Sequence, residues 1–232
     1  MAKLNTNSNV YTIVYATVLV IIVAFLLALA NAALKPRQDA NVALSQKKQI
    51  LASINERNLG DKRSEEAYNA LVKDATVGDL AFYIANKDGK ELYILPVRGA
   101  GLWGAIWGYV ALNDDRNTIY GTYFDHESET PGLGGEIKTE KFQNQFIGKH
   151  VLNAEGQFVG VGIMKAGQTA DGMEQVDAIS GATITSKGVE AMILNSIQPF
   201  AEAGFFEAQG AAKACEAGEA TEVEPVKEEE QL

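Results

Sequence analysis

The sequence predicts an α+β protein with one N-terminal transmembrane helix. A single domain follows, a twisted antiparallel sheet packed by helices, and the chain ends in a disordered acidic tail. Three observations predict it. Residues 10–30 (VYTIVYATVLVIIVAFLLALA) hold no charge. Four apolar runs between residues 81 and 124 are separated by polar, turn-forming clusters. A segment from about Thr185 to Phe206 repeats apolar residues at helical spacing.

The uncharged run has 21 residues. At about 1.5 Å per residue it spans roughly 31 Å, the thickness of a bilayer's hydrocarbon core. Tyr11 and Tyr15 stand where interfacial aromatics stand. A cleaved signal sequence ending at Ala28-Leu29-Ala30 is the rival reading, but signal cores run about 7–15 residues. The expectation is an uncleaved anchor over 10–34, after a short N-terminal segment, 1–9. Only Lys3 precedes the span, whereas Lys35, Arg37, Lys47 and Lys48 follow it. Those charges alone keep the C-terminal part in the cytoplasm, although long domains often cross regardless.

Residues 38–57 suit a helix leaving the membrane, with Pro36 near its start and Asn58-Leu59-Gly60-Asp61 as its stop. A short helix around Glu65 to Asp74 comes next. AFYIA (81–85) and ELYILPV (91–97) flank Asn86-Lys87-Asp88-Gly89, a turn containing Asp-Gly. AIWGYVAL (105–112) and TIYGTYF (118–124) complete an antiparallel meander. FVGVGIM (158–164) reads as a further strand, in which Gly160 and Gly162 admit a close neighbour. In the last helix, Val189, Met192, Ile193, Ile197 and Phe200 form the apolar stripe, and Pro199 kinks or ends it. The folded domain is expected over 36–208. Residues 211–232 carry seven glutamates and few large apolar groups, the composition of a disordered tail.

Composition excludes several functions. The net charge of −10 gives no long-range attraction to nucleic acid. One cysteine, Cys215, and two distant histidines, His126 and His150, argue against a protein metal centre or an internal disulfide. His126 reads as a solvated loop residue, and His150 as a surface or structural one.

Two features point to chemistry. DAISGATITS (177–186) places Thr183, Thr185 and Ser186 after a Ser-Gly-Ala turn. Hydroxyls there are ordinary helix caps. An alternative is anion binding: unpaired N–H groups and the helix dipole favour a negative group by about 0.3–1 kcal/mol, and a phosphate ester on a threonine would sit well. GAGLWGAIWG (99–108) and ETPGLGGE (129–136) match neither a dinucleotide fingerprint nor a P-loop. They are tight turns, or else the walls of a flat slot for a planar heterocycle, with Trp103 on one side.

Together these residues carry a resemblance. D-x-x-S-G-A-T at 177–183 resembles the motif on which FMN is attached to threonine through a phosphodiester. GLWG and ETPGLGG, in this order between an anchor and S-G-A-T, look like the family of C subunits of the sodium-translocating NADH:quinone reductase. The family of Rnf-type G subunits shares the anchor, ETPGLG and the flavinylation motif, and is the nearest alternative. A membrane-tethered, non-redox binding domain is the alternative of another class. The resemblance implies covalent FMN on Thr183, attached by a flavin transferase that uses FAD and magnesium. It implies that Asp177 and Ser180 serve recognition or hold the turn, beside Gly181, Ala182 and Thr185. It puts the flavin ring near Trp103 and Leu133, with Gly101, Leu102, Glu129, Thr130 and Gly132 lining the slot. It also implies a relay of single electrons, with no complete reaction by this chain alone, among other membrane, flavin and iron–sulfur subunits that pass electrons from NADH to ubiquinone. The domain would then lie on the periplasmic side of a bacterial inner membrane, against the flanking charges.

Overall fold

The computed structural model describes residues 8–165, 167–168 and 174–207. The tail expected over 211–232 and nearly all of the segment 1–9 lie outside the described residues. The chain divides into two compact units, Met1–Lys47 and Lys48–Leu232.

Helix α1 (Asn9–Ser53) is a continuous 45-residue helix with Pro36 inside it. The separate helix expected to begin near Pro36 is therefore a continuation of the first. A proline removes one N–H donor from a helix, and the bonds of the turns on either side are left to carry it. A window of 18 residues in this helix has a mean hydropathy of 3.0, and none of it is buried among the described residues. The helix is long and apolar enough to cross a membrane. Tyr11 and Tyr15 stack with their ring centroids 6.4 Å apart.

The second unit is built on a five-stranded sheet in the order β1-β2-β3-β4-β5, all neighbours antiparallel. The strands are β1 (Val72–Val77), β2 (Leu80–Lys87), β3 (Lys90–Ala100), β4 (Ala105–Leu112) and β5 (Ile119–His126). The Asp-Gly turn is as tight as the sequence requires. Lys87 pairs with Lys90, leaving Asp88 and Gly89 as a two-residue loop with φ of 52° and 76°. Strand β3 is central and buried on both faces, which explains its nearly unbroken apolar run. Leu92 and Ile94 face one layer, with Ile50, Leu51 and Ile54. Tyr93, Leu95 and Val97 face the other, with Val189, Met192, Ile193, Ile197 and Phe200 of α4 (Thr183–Glu202).

Three expectations change. The helix placed at Glu65–Asp74 is α2 (Asp61–Leu71), and the chain after it is edge strand β1. Lys73 and Asp74 are exposed on that strand, and charge on an edge strand hides its signal. FVGVGIM is a strand only at β6 (Gly162–Met164), paired in parallel with β7 (Gln175–Asp177). Gly160 has φ of 68°, and the N–H groups of Val159 and Gly160 both donate to the Val151 carbonyl, so the chain bends there. Pro199 was expected to kink or end α4; the helix instead runs through it to Glu202, and the Ala203 N–H donates to its carbonyl at 3.0 Å.

Candidate functional site

Three segments meet at one end of the sheet. The first is Gly101–Gly104, the loop that joins β3 to β4. Its ends are closed by the pairing of Ala100 with Ala105 and by the Gly101 N–H donating to the Gly104 carbonyl at 2.8 Å. The second is the ETPGLGG stretch after β5, which folds into a 3-10 turn over Gly134–Lys138. The third is the start of α4, reached through Gly181 at φ of 78°.

Glu129 ties the three together. Its side chain is buried, at 4% exposure. Oε1 accepts the Trp103 N–H at 2.8 Å, and Oε2 accepts the Thr185 hydroxyl at 2.7 Å. The Ser128 hydroxyl adds a bond to the Trp103 carbonyl at 3.1 Å. The glycines of both motifs follow from this carboxylate. A Cβ at Gly101 would overlap Oε1, and one at Gly134 would overlap Oε2 and crowd the Thr185 hydroxyl. Burial pushes the Glu129 carboxyl up from its ordinary pKa. Hydrogen bonds from the Trp103 N–H, the Thr185 hydroxyl and the N–H groups of Leu102 and Gly104 outweigh that, and the net shift is down.

A recess of about 280 Å³ opens between the segments, lined by Leu102, Trp103, Glu129, Thr130, Leu133 and the chain from Gly181 to Thr185. Its rim is apolar and solvent-facing. Trp103 is 68% exposed and Ile184 62%, and Leu102 and Leu133 are also exposed. Gly134 and Ile184 line the recess too, although the sequence singles out neither. Ile184 alternates with two threonines in a way that gives no signal of direction.

The three hydroxyls that follow the Ser-Gly-Ala turn differ. Ser186 Oγ is buried and accepts the Ile179 N–H at 3.1 Å, while Thr185 donates to Glu129. Thr183 is exposed, opens α4 and makes no side-chain hydrogen bond among the described residues. Ala182 occupies the N-cap position, with no side-chain cap. The first bond of the helix runs from the Ser186 N–H to the Ala182 carbonyl, so the N–H groups of residues 183–185 precede the ladder. The helix-cap reading thus fails for Thr183. Its oxygen is available at the rim of the recess, beside amide donors suited to an anion.

Other candidate residues stand elsewhere. Asp177 and Ser180 line a separate recess of about 550 Å³, with Glu136, Thr139, Lys141 and Phe142 among its walls. Asp177 takes the Gly167 N–H on Oδ1 at 3.2 Å and gives its own N–H to Gln145 Oε1 at 3.0 Å, so it fastens the chain leading into the turn. Gly132, at φ of 76°, donates its N–H to Glu136 and shapes the turn beside the slot. His126 is not a solvated loop residue. It ends β5, accepts the Glu129 N–H on Nδ1 at 3.2 Å, and keeps Nε2 buried without a partner. His150 is structural, pairing by an isolated bridge with Thr118. Among the described residues no cluster of potential metal ligands occurs.

Comparison with known proteins gives the family. Residues 101–198, from the GLWG loop into α4, match the model of the FMN-binding domain. The C subunit of the Na(+)-translocating NADH-quinone reductase of Pseudomonas aeruginosa is 30% identical, over 82% of this chain and 91% of the relative. The corresponding C subunit of Haemophilus ducreyi is 32% identical, over 82% and 90%. The crystal structure of the C subunit from Parabacteroides distasonis superposes with a TM-score of 0.68 at 39% identity, covering 73% of this chain and 96% of that one. With relatives at this identity over nearly their whole length, and a flavin domain on the segments that build the recess, the chain belongs to the family of C subunits of the Na(+)-translocating NADH-quinone reductase.

Proposed function

We propose that this chain is the member of a sodium-pumping NADH:quinone reductase that relays single electrons through an FMN esterified to Thr183. The observation that carries the reading is the Thr183 hydroxyl, which, unlike those of Thr185 and Ser186, makes no hydrogen bond among the described residues and stands on the rim of an apolar recess.

The residues present fit the group. FMN when bound supplies a reversible one-electron couple, and the protein supplies its placement. The exposed face of Trp103 offers a stacking surface worth about 0.5–1.5 kcal/mol. Leu133 and Ile184 give the rim apolar surface against which a ring can lie. The N–H groups at the start of α4 favour the phosphate. A chain of net charge −10 holds a free phosphate dianion poorly. An ester reduces the dianion to a monoanion and abolishes dissociation, as a fixed carrier requires.

Attachment needs a separate flavin transferase with FAD and magnesium. The Thr183 oxygen forms a bond to the FMN phosphorus as the pyrophosphate link of FAD breaks. AMP leaves and the hydroxyl proton is released. The other partners are the membrane, flavin and iron–sulfur subunits of the reductase. The apolar part of α1 embeds the chain in a bacterial inner membrane, with the flavin domain on the periplasmic side.

The test is the full chain matured in its native host. The expected mass exceeds that of the bare polypeptide by one FMN less one water, and the denatured band fluoresces. Thr183→Val abolishes both and keeps the fold, whereas Thr185→Val keeps the modification. A fluorescent band of full strength from Thr183→Val refutes the assignment.

A further inference from the structure

From the placement of Glu129 we infer a second role for it, resting on the reading that FMN occupies the recess. Glu129 is the positioning residue that orders the recess, and it is also the fixed negative charge that holds the flavin's reduction potential down.

The geometry carries the first half. The Trp103 indole is 68% exposed among the described residues. What fixes its loop to the rest of the site is polar: Glu129 Oε1 on the Trp103 N–H, and Ser128 Oγ on its carbonyl. The same carboxylate reaches α4 through Thr185. One side chain thus sets the spacing between the indole and the helix that begins with Thr183. Gly101 and Gly134 give that carboxylate its room, since a side chain at either would displace it.

Electrostatics carries the second half. The carboxylate is buried and accepts from N–H and O–H donors, and no cation pairs with it among the described residues. It lies in the lining of the recess, so whatever fills the recess meets a negative charge with no cation beside it among the described residues. Reduction adds an electron to the occupant and is opposed by that charge. At an effective dielectric of about 20, a unit charge within about 10 Å changes such an equilibrium about tenfold.

Charge and tie can be separated. In Glu129→Gln the amide oxygen can accept the Trp103 N–H while the amide N–H donates to the Thr185 oxygen. The tie survives and the charge goes. Glu129→Ala removes both. Two measurements use the full chain in detergent. In the first, the chain is matured with its flavin and titrated for its midpoint potential. Glu129→Gln is expected to keep its covalent flavin and to raise the first one-electron potential by about 59 mV, the equivalent of a tenfold change. A potential equal to that of the parent chain overturns the charge role.

In the second, the chain is made without the transferase in a Trp107→Phe background, so Trp103 is the sole emitter. Glu129→Ala is expected to make Trp103 emission more accessible to acrylamide and broader, with Glu129→Gln close to the parent. Unchanged quenching in Glu129→Ala overturns the positioning role. Should that variant fail to fold, Thr185→Val, which removes one donor and keeps the charge, must show part of the same change, and its absence overturns the role equally. The quenching arm needs no flavin. A failure of the attachment to Thr183 therefore shows as a parent chain of unmodified mass, and leaves the positioning result readable.

Discussion

A single carboxylate ties together the three segments around the recess, and its environment makes a prediction of its own. The ordinary value for Glu129 is 4.5, and its folded value lies below that because donated hydrogen bonds outweigh burial. A group depressed in the folded state contributes stability above its unfolded pKa and loses it as the pH falls through the folded pKa. The contribution of Glu129 is therefore complete above about pH 4.5. It fades below that value. Urea unfolding of the unmodified full chain, followed by tryptophan emission at a series of pH values, is expected to show the parent losing stability on acidification more steeply than Glu129→Gln. Parallel curves would rule this out. Among single residues the sequence was partly legible. Thr183 and the slot-lining residues could be named from motif resemblance, and the structure brings Leu102, Trp103, Glu129, Thr130, Leu133, Gly181, Ala182, Thr183 and Thr185 to one recess. Asp177 and Ser180 could not be placed from spacing. They flank the same turn but face the other way, because Gly181 reverses the chain at positive φ. The burial of His126 was also hidden, since it depends on where the following loop folds back.

Among the elements, α4 lies close on β3. A Cβ on Gly188 would stand 2.5 Å from the Ala100 carbonyl oxygen, and one on Gly99 would stand 2.8 Å from Cβ of Met192. Ser196 Oγ accepts the Arg98 N–H at 3.0 Å and donates to the Arg98 carbonyl at 3.1 Å, pinning the far half of the helix. Gly188→Ala should force the helix off the strand and cost roughly 1–3 kcal/mol, the usual cost of overpacking. The expected result is a lower urea midpoint with an unchanged slope, and a midpoint equal to the parent's would show that the close approach is not required. The helix was legible because its stripe at Val189, Met192, Ile193 and Ile197 has the helical period. The four sheet strands read from the sequence appear in order, because apolar runs and an Asp-Gly turn are local signals. Strands β1 and β7 were not legible. The first is a charged edge and the second is three residues long, so each exists through its partner and not through its own pattern.

For the molecule as a whole, a helix whose first half is apolar and long enough to cross a bilayer is followed by a folded unit that holds the FMN-binding domain match. The flanking lysines favour a cytoplasmic domain, whereas the family resemblance implies a periplasmic one. Cys215, the sole cysteine, lies C-terminal to the domain and reports on this directly. A membrane-impermeant maleimide, added to cells with a permeabilised outer membrane and an intact inner one, is expected to label the chain before lysis. Labelling only after the inner membrane is broken would place the domain inside.

The apolar N-terminal helix, the meander, the last helix and most of the residues that line the recess were all readable from the order of amino acids. Each of these rests on composition, period or a contiguous motif. Which hydroxyl is available emerges only once the chain is packed. Thr183, Thr185 and Ser186 are equivalent in type and lie within four residues. Their difference comes from partners far away or behind the turn, Glu129 for one and the Ile179 amide for another. Hydrogen-bond satisfaction is a property of the packed chain, and no local pattern encodes it.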